Sequence, residues 1–275
     1  MCTVVIRVPA TPGESTRLIA VRDEDPNRPW NPLGAWWPKS HPDLIGVQDI
    51  RAGGAWLAAS PSTGRLAVLL NVGPPIPQPG LTSRGLVVLD AASGTPAPAD
   101  RRTAPYVLLT VAGSRTQLEI SDEHGVHHEA LAPGVHMLAN SKVVDDPGTA
   151  RVSRWLAAFR EATPPQGEPD WFTPWLGVLR RSLQVPATSD QAIVRDNRPY
   201  GIPTLSLLMC TATVGEGEAV VDYVAFDGPG RWDGRSWCLM SRCPRDLGRA
   251  SNVDARETGA GSAGFVESDA ACCVG

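Results

Sequence analysis

A chain of 275 residues with a net charge of −4 and no block of like charge has no electrostatic footprint for nucleic acid or an anionic membrane. No apolar stretch reaches the about 18–20 residues that cross a bilayer, and the length suits one large domain or two small ones. The six cysteines fall at spacings that make no paired CxxC metal site; Cys210 and Cys238 read as buried free thiols in a reducing compartment.

Met1-Cys2-Thr3 opens directly into the apolar run Val4-Val5-Ile6. Loss of the initiator Met before a small residue leaves a Cys whose free α-amine, with a pKa of about 7.7–8.0, sits beside a thiol of about 8.5. That is a nucleophile and a base in one residue. No basic region precedes the apolar run, so no secretory leader is expected and a cytoplasmic location is. Residues 2–8 and 16–22 are predicted strands around the turn Thr11-Pro12-Gly13-Glu14. The chain goes out and comes back, so Arg22 is expected near Cys2.

The charged run Arg22-Asp23-Glu24-Asp25 leads into a stretch in which Pro26, Pro29, Pro32 and Pro38 preclude helix. It is expected to be an irregular loop, whose Trp30, Trp36 and Trp37 either wall a pocket or pack the loop down. A second hairpin runs from the glycine pair Gly53-Gly54 through Trp56 to Ser60, turns at Pro61-Ser62-Thr63-Gly64 and returns over Arg65–Asn71. Asn71 closes that strand, either as a turn starter or as an oxyanion donor. Pro74–Gly80 is a loop, 83–89 a short helix, and 93–105 a connection poor in core residues.

Strands are predicted over 106–112, 116–121, 126–131 and 135–139, the last followed by Asn140. His124, His127, His128 and His136 lie without carboxylate or Cys at ligand spacing, and are expected to be exposed strand residues rather than metal ligands. Two amphipathic helices follow over 151–163 and 170–183. The first carries Val152, Trp155, Leu156 and Phe159 on one stripe, and the second carries Trp171, Trp175, Val178, Leu179 and Leu183, with Asp170 as its candidate cap. Strands are predicted again over 205–214, 219–226 and 235–240. From about residue 248 the periodicity stops, which predicts a single domain over 1–247 and a disordered tail over 248–275.

Strands in hairpins, late helices and no βαβ alternation define an α+β class with antiparallel layering. The order of Cys2, Ala20-Val21-Arg22-Asp23-Glu24, Gly53-Gly54-Ala55-Trp56-Leu57, Leu69-Leu70-Asn71, Ser83-Arg84-Gly85 and Leu138-Ala139-Asn140-Ser141 resembles the family named for its Asn-Arg-Asp-Glu motif, also called transport and Golgi organisation protein 2. That family is similar to the N-terminal nucleophile (Ntn) hydrolases of the bile salt hydrolase and penicillin V acylase type. The resemblance implies a four-layer αββα sandwich. It also implies a catalytic set in which Cys2 attacks, Arg22 supports the thiol, Asp23 orients the α-amine with Asp25 as the alternative, and Asn71 and Asn140 bind oxyanion and amine. Arg154 stands for a further acylase Arg, and Trp30, Trp36 and Trp56 are candidate walls for the substrate. Two positions depart from the family: Val21 replaces the Asn of the naming motif, and Pro203 stands where an Arg is expected.

Two functions follow from the resemblance. One is an amidohydrolase or acyltransferase that acts on an amide or thioester of a small molecule through an acyl-Cys2 intermediate, needing no cofactor. The other is a non-catalytic carrier or chaperone of haem or acyl lipid. Neither the acyl group nor the oligomeric state is legible.

Overall fold

A computed structural model describes residues 2–72, 80–96, 98 and 101–233. All of these lie in the unit Met1–Cys243. The boundary expected at 247, the tail at 248–275, the strand expected at 235–240, Cys238, and most of the loop at 74–80 lie outside the described residues.

The first hairpin is β1 (Thr3–Val8) and β2 (Thr16–Glu24). Next come β3 (Trp30–Gly34), β4 (Ile45–Asp49), β5 (Ala55–Ser60) and β6 (Arg65–Asn71). Helix α1 (Arg84–Ser93) begins at Ser83, whose hydroxyl accepts from the Gly85 amide, and ends at left-handed Gly94. A meander follows: β7 (Tyr106–Ala112), β8 (Arg115–Asp122), β9 (Gly125–Ala130) and β10 (Gly134–Ala139). Helices α2 (Ala150–Glu161) and α3 (Phe172–Ser182) come next, then β11 (Leu205–Gly215) and β12 (Glu218–Ala225).

The strands form two sheets, ordered β10-β1-β2-β11-β12 and β3-β4-β5-β6-β7-β8-β9, with every pairing antiparallel. Alternation along each strand sorts the core into three layers. Val4, Ile6, Leu18, Ala20 and Leu208 of the five-stranded sheet meet Leu57, Val68, Leu70, Val107 and Leu109 of the seven-stranded sheet. Val5, Ile19, Val21, Met137 and Met209 turn the other way, onto Val152, Trp155, Phe159, Trp175 and Leu179 of α2 and α3. Ala58, Ala67, Leu69 and Leu108 face Val87, Val88 and Ala92 of α1. Each fully buried large aliphatic side chain in these layers contributes about 1.5–3 kcal/mol.

The expected irregular loop from residue 22 to 38 is a correction. Trp30–Gly34 is a strand, and Ile45–Asp49, unforeseen, pairs with it. Pro32 is compatible with a strand because β3 is the sheet's edge and its register shifts between Asn31 and Gly34. Asp170 is also not the cap of α3: that position is Trp171, which makes no side-chain cap bond. Val21, where the family pattern has Asn, is buried opposite Met209 on the helix-covered face, where an amide would need partners an apolar wall lacks.

Candidate active site

Strand geometry brings Cys2 and Arg22 together. Thr3 pairs with Val21 on one side and with Ala139 on the other. One step further, Cys2 is flanked by Arg22, two residues before the end of β2, and by Asn140 just after β10. Cys2 belongs to the layer between the sheets, and Arg22 follows Leu18 and Ala20 onto that same face. Both are buried. The Cys2 Sγ lies 3.9 Å from the Asp23 carbonyl oxygen. Burial pushes the Cys2 thiol up, while the positive amino terminus and Arg22 oppose that shift.

Arg22 is only half satisfied. Its Nη2 donates to Glu24 at 3.4 Å, and its buried Nη1 has no hydrogen-bond partner among the described residues. Arg22 also acts on Cys210 and Tyr223 of the same layer. Arg84 at the start of α1 feels both Glu24 and Cys2, although burial lowers its basicity most. Glu24 and Arg84 were within motifs legible in the sequence, but were not read as site residues.

Asp23 takes the opposite face of β2. A bulge in β11 between Ser206 and Leu208 lets Leu208 join the layer between the sheets while Ser206 meets Asp23 behind it. The Ser206 hydroxyl donates to Asp23 Oδ1 at 2.5 Å, and Asn197 Nδ2 donates to Oδ2 at 3.3 Å. On the same face Arg151 of α2 donates from Nη1 to Thr3 Oγ1 at 2.8 Å. Burial lowers the Arg151 pKa to about 10, Arg195 adds to this, and Asp23 and Cys2 act against it. Asn197, Ser206 and Arg151 carried no motif, but Arg151 lies four residues before Trp155 on the buried stripe of α2.

Of the other expected residues, Asn140 flanks Cys2 and Trp30 and Trp56 share its layer, while the rest sit apart from this pair of clusters. Asn71 is exposed at the end of β6, and strand alternation gives it the face of Ala67 and Leu69 rather than that of Leu70. Asn140 is exposed and left-handed, with φ 55°. Asp25 Oδ1 accepts from the backbone and side chain of Asn27 at 2.9 and 3.1 Å, closing a local turn. Arg154 is exposed on α2 and donates to Gln191 Oε1 at 2.9 Å. Trp30 packs on Tyr223 with ring centroids 6.1 Å apart. Trp36 lies at the surface and donates to the Pro32 carbonyl at 2.7 Å. Trp56 is buried between the sheets, its Nε1 without a partner among the described residues. A register shift opposite it, between Val47 and Gln48, puts Trp56 and Leu57 on one face.

The histidines divide. His127 and His128 are exposed on β9. His136 is instead half-buried, held by Asp145 at 2.9 Å and by the Ala132 carbonyl at 2.8 Å.

Residues 1–195 match the family Transport and Golgi organisation 2. No curated protein matches the sequence significantly. A solved structure, that of a Caenorhabditis elegans N-acylethanolamine-hydrolyzing acid amidase (NAAA) ortholog, is similar with a TM-score of 0.45 and 10% identity, over 77% of this chain and 92% of that chain.

Proposed function

The chain belongs to the Transport and Golgi organisation 2 family, and from that premise we propose that it is an N-terminal cysteine nucleophile enzyme. In this reading the two sheets and their covering helices make the four-layer αββα sandwich of the Ntn hydrolases. The protein acts as an amidohydrolase or acyltransferase on an amide or thioester of a small molecule. The observation that carries it is the buried pair of Cys2 and Arg22 on one face of adjacent strands, with a guanidinium nitrogen in that layer that has no partner among the described residues.

Removal of Met1 frees the α-amine. It takes the thiol proton as Sγ attacks the substrate carbonyl, and the carbonyl electrons move onto oxygen. Arg22 favours the thiolate. Asn140, which flanks Cys2 just after β10, serves the oxyanion, and such a donor contributes about 3–4 kcal/mol. Collapse of the tetrahedral adduct breaks the C–N or C–S bond, and the α-ammonium protonates the leaving group. Water then hydrolyses the acyl-Cys2 thioester, or an amine takes the acyl group.

Intact mass of the purified chain, before and after incubation with a panel of N-acyl amides and acyl thioesters, tests the reading. Loss of Met1 and an acyl increment mapped to Cys2, absent in Cys2→Ser, are expected. Retained Met1, or no acylation of Cys2 across the panel, overturns it and moves the assignment to ligand carriage.

A further inference from the structure

Behind the nucleophile lies a buried polar cluster that the reaction above does not use. Residues 195–206 form a closed loop. Asp196 bridges Leu205, the Asn197 amide donates to the Thr204 carbonyl at 2.9 Å, and the Ser206 amide donates to the Arg195 carbonyl at 2.9 Å. That loop presses Asn197 and Ser206, both fully buried, against Asp23.

Counting hydrogens fixes the roles. A serine hydroxyl has one proton. The Arg195 amide donates to Ser206 Oγ at 2.8 Å, so that oxygen is an acceptor there and must direct its own proton elsewhere. Asp23 Oδ1 at 2.5 Å competes with the Ile193 carbonyl at 3.5 Å, and distance gives the proton to Asp23. The Asn197 amide donates from Nδ2 to Asp23 Oδ2 at 3.3 Å and to Thr204 Oγ1 at 3.0 Å. Its orientation is therefore set, which leaves Oδ1 buried and without a donor among the described residues.

The buried Asn197 amide oxygen lacks a donor among the described residues, and its place beside the Asp23 carboxylate suits a cation with several N–H groups. Thr3, the residue after Cys2, faces this same side and is bound by Arg151. We propose that Asn197 and Ser206 are positioning residues for the amino terminus: they fix the Asp23 carboxylate behind β2, and Asn197 Oδ1 is a second acceptor for the Cys2 ammonium that removal of Met1 creates. This rests on the N-terminal nucleophile reading. Among the described residues, the charges around Asp23 include Arg22 and Glu24 beside it on β2, Arg151 on α2, and Arg195, which is paired with Asp190 at 3.1 Å. None of these is supplied by the proposed pair, so substitution at Asn197 or Ser206 leaves the charge count intact.

The test uses the full chain and 2-cyanobenzothiazole. The Cys2 thiol adds to the nitrile, the unprotonated α-amine closes the thiazoline, and ammonia leaves, so the rate against pH reports the amine. Iodoacetamide labelling reports the thiol alone. With Asn197→Leu or the milder Ser206→Ala, Asp23 holds the ammonium less well. The midpoint of ring closure should fall by about 0.5–1 pH unit, a threefold to tenfold faster closure near neutrality, relative to iodoacetamide labelling. Thr204→Val removes a partner of Asn197 without touching Asp23 and should leave the midpoint in place. Unchanged midpoints in folded Asn197→Leu and Ser206→Ala, or an equal shift in Thr204→Val, overturn the positioning role while the nucleophile stands. Retained Met1, with no ring closure in the wild type at any pH, overturns both.

Discussion

Arg151 donates from Nη1 to Thr3 Oγ1 across 2.8 Å, which ties α2 to the strand that begins one residue after the nucleophile. Arg151 is 1% exposed, so its charge is desolvated and depends on those fixed contacts. Arg154, one turn on, stays in solvent and donates to Gln191. Arg151→Leu should therefore lower the unfolding free energy by about 3–5 kcal/mol, the range for removing one member of a buried charged network. Arg154→Ala should cost less than about 1 kcal/mol. Urea denaturation of both variants checks the contrast, and equal effects would show that burial does not separate them.

Arg22 shares the layer of Cys2, and its positive charge opposes the rise that burial imposes on the thiol. Without it the thiolate is less populated at any pH near neutrality. Arg22→Gln should slow iodoacetamide labelling of Cys2 at pH 7.5 by about threefold. Circular dichroism should stay near wild type. Labelling as fast as in the wild type would remove Arg22 from any role in activating the nucleophile.

The two layers differ in how much of them the sequence announced. Cys2, Arg22 and their shared edge followed from a hairpin whose period and turn were plain in the order of residues. The partners of Asp23 did not. Ser206 meets it only because β11 bulges between Ser206 and Leu208, and a bulge adds one residue without changing composition or hydropathy. Asn197 lies in a loop with no period, fixed by backbone bonds to Thr204. Arg151 was hidden for another reason: a charged residue on an apolar helix stripe reads as a boundary residue, whereas a polar target behind the stripe makes it a buried donor. The edge strand Trp30–Gly34 was hidden by Pro32, a residue that an interior strand excludes and an edge accepts.

Cys210 sits between Ala20 and Tyr223 in the layer between the sheets, and burial pushes its thiol far up. Burial also raises Cys2. The sign follows from proton counting. Below the unfolded thiol pKa of about 8.5 both states keep the proton and these groups leave stability unchanged with pH. Above it the unfolded chain releases protons that the native chain retains, so stability falls as pH rises toward the folded pKa. The slope is about 1.4 kcal/mol per pH unit for each such thiol. Between pH 8.5 and 10, Cys210→Ala should be less steep than wild type by about that slope. Equal slopes would mean that Cys210 titrates alike in both states.

Two glycine motifs that the sequence placed far apart meet in space. A Cβ built on Gly54 would lie 2.4 Å from the Gly85 carbonyl carbon, and one on Gly85 would lie 3.0 Å from the Ala55 backbone. Neither residue is among those with positive φ, so contact rather than conformation requires glycine. The first turn of α1 is thereby seated on the start of β5, which places Arg84 within electrostatic reach of Glu24 and Cys2. Backbone cannot yield as a flexible side chain would, so Gly54→Ala must shift α1 or the strand, at about 1–3 kcal/mol for an overpacked contact. Gly53 next to it has φ 73° with open space at its Cβ, so Gly53→Ala meets conformational strain of about 1–2 kcal/mol instead and leaves α1 in place. Both variants should lose stability by urea denaturation, but only Gly54→Ala should also change the rate of Cys2 labelling, through displaced Arg84. Equal labelling rates in the two variants would separate the packing of α1 from the chemistry of Cys2.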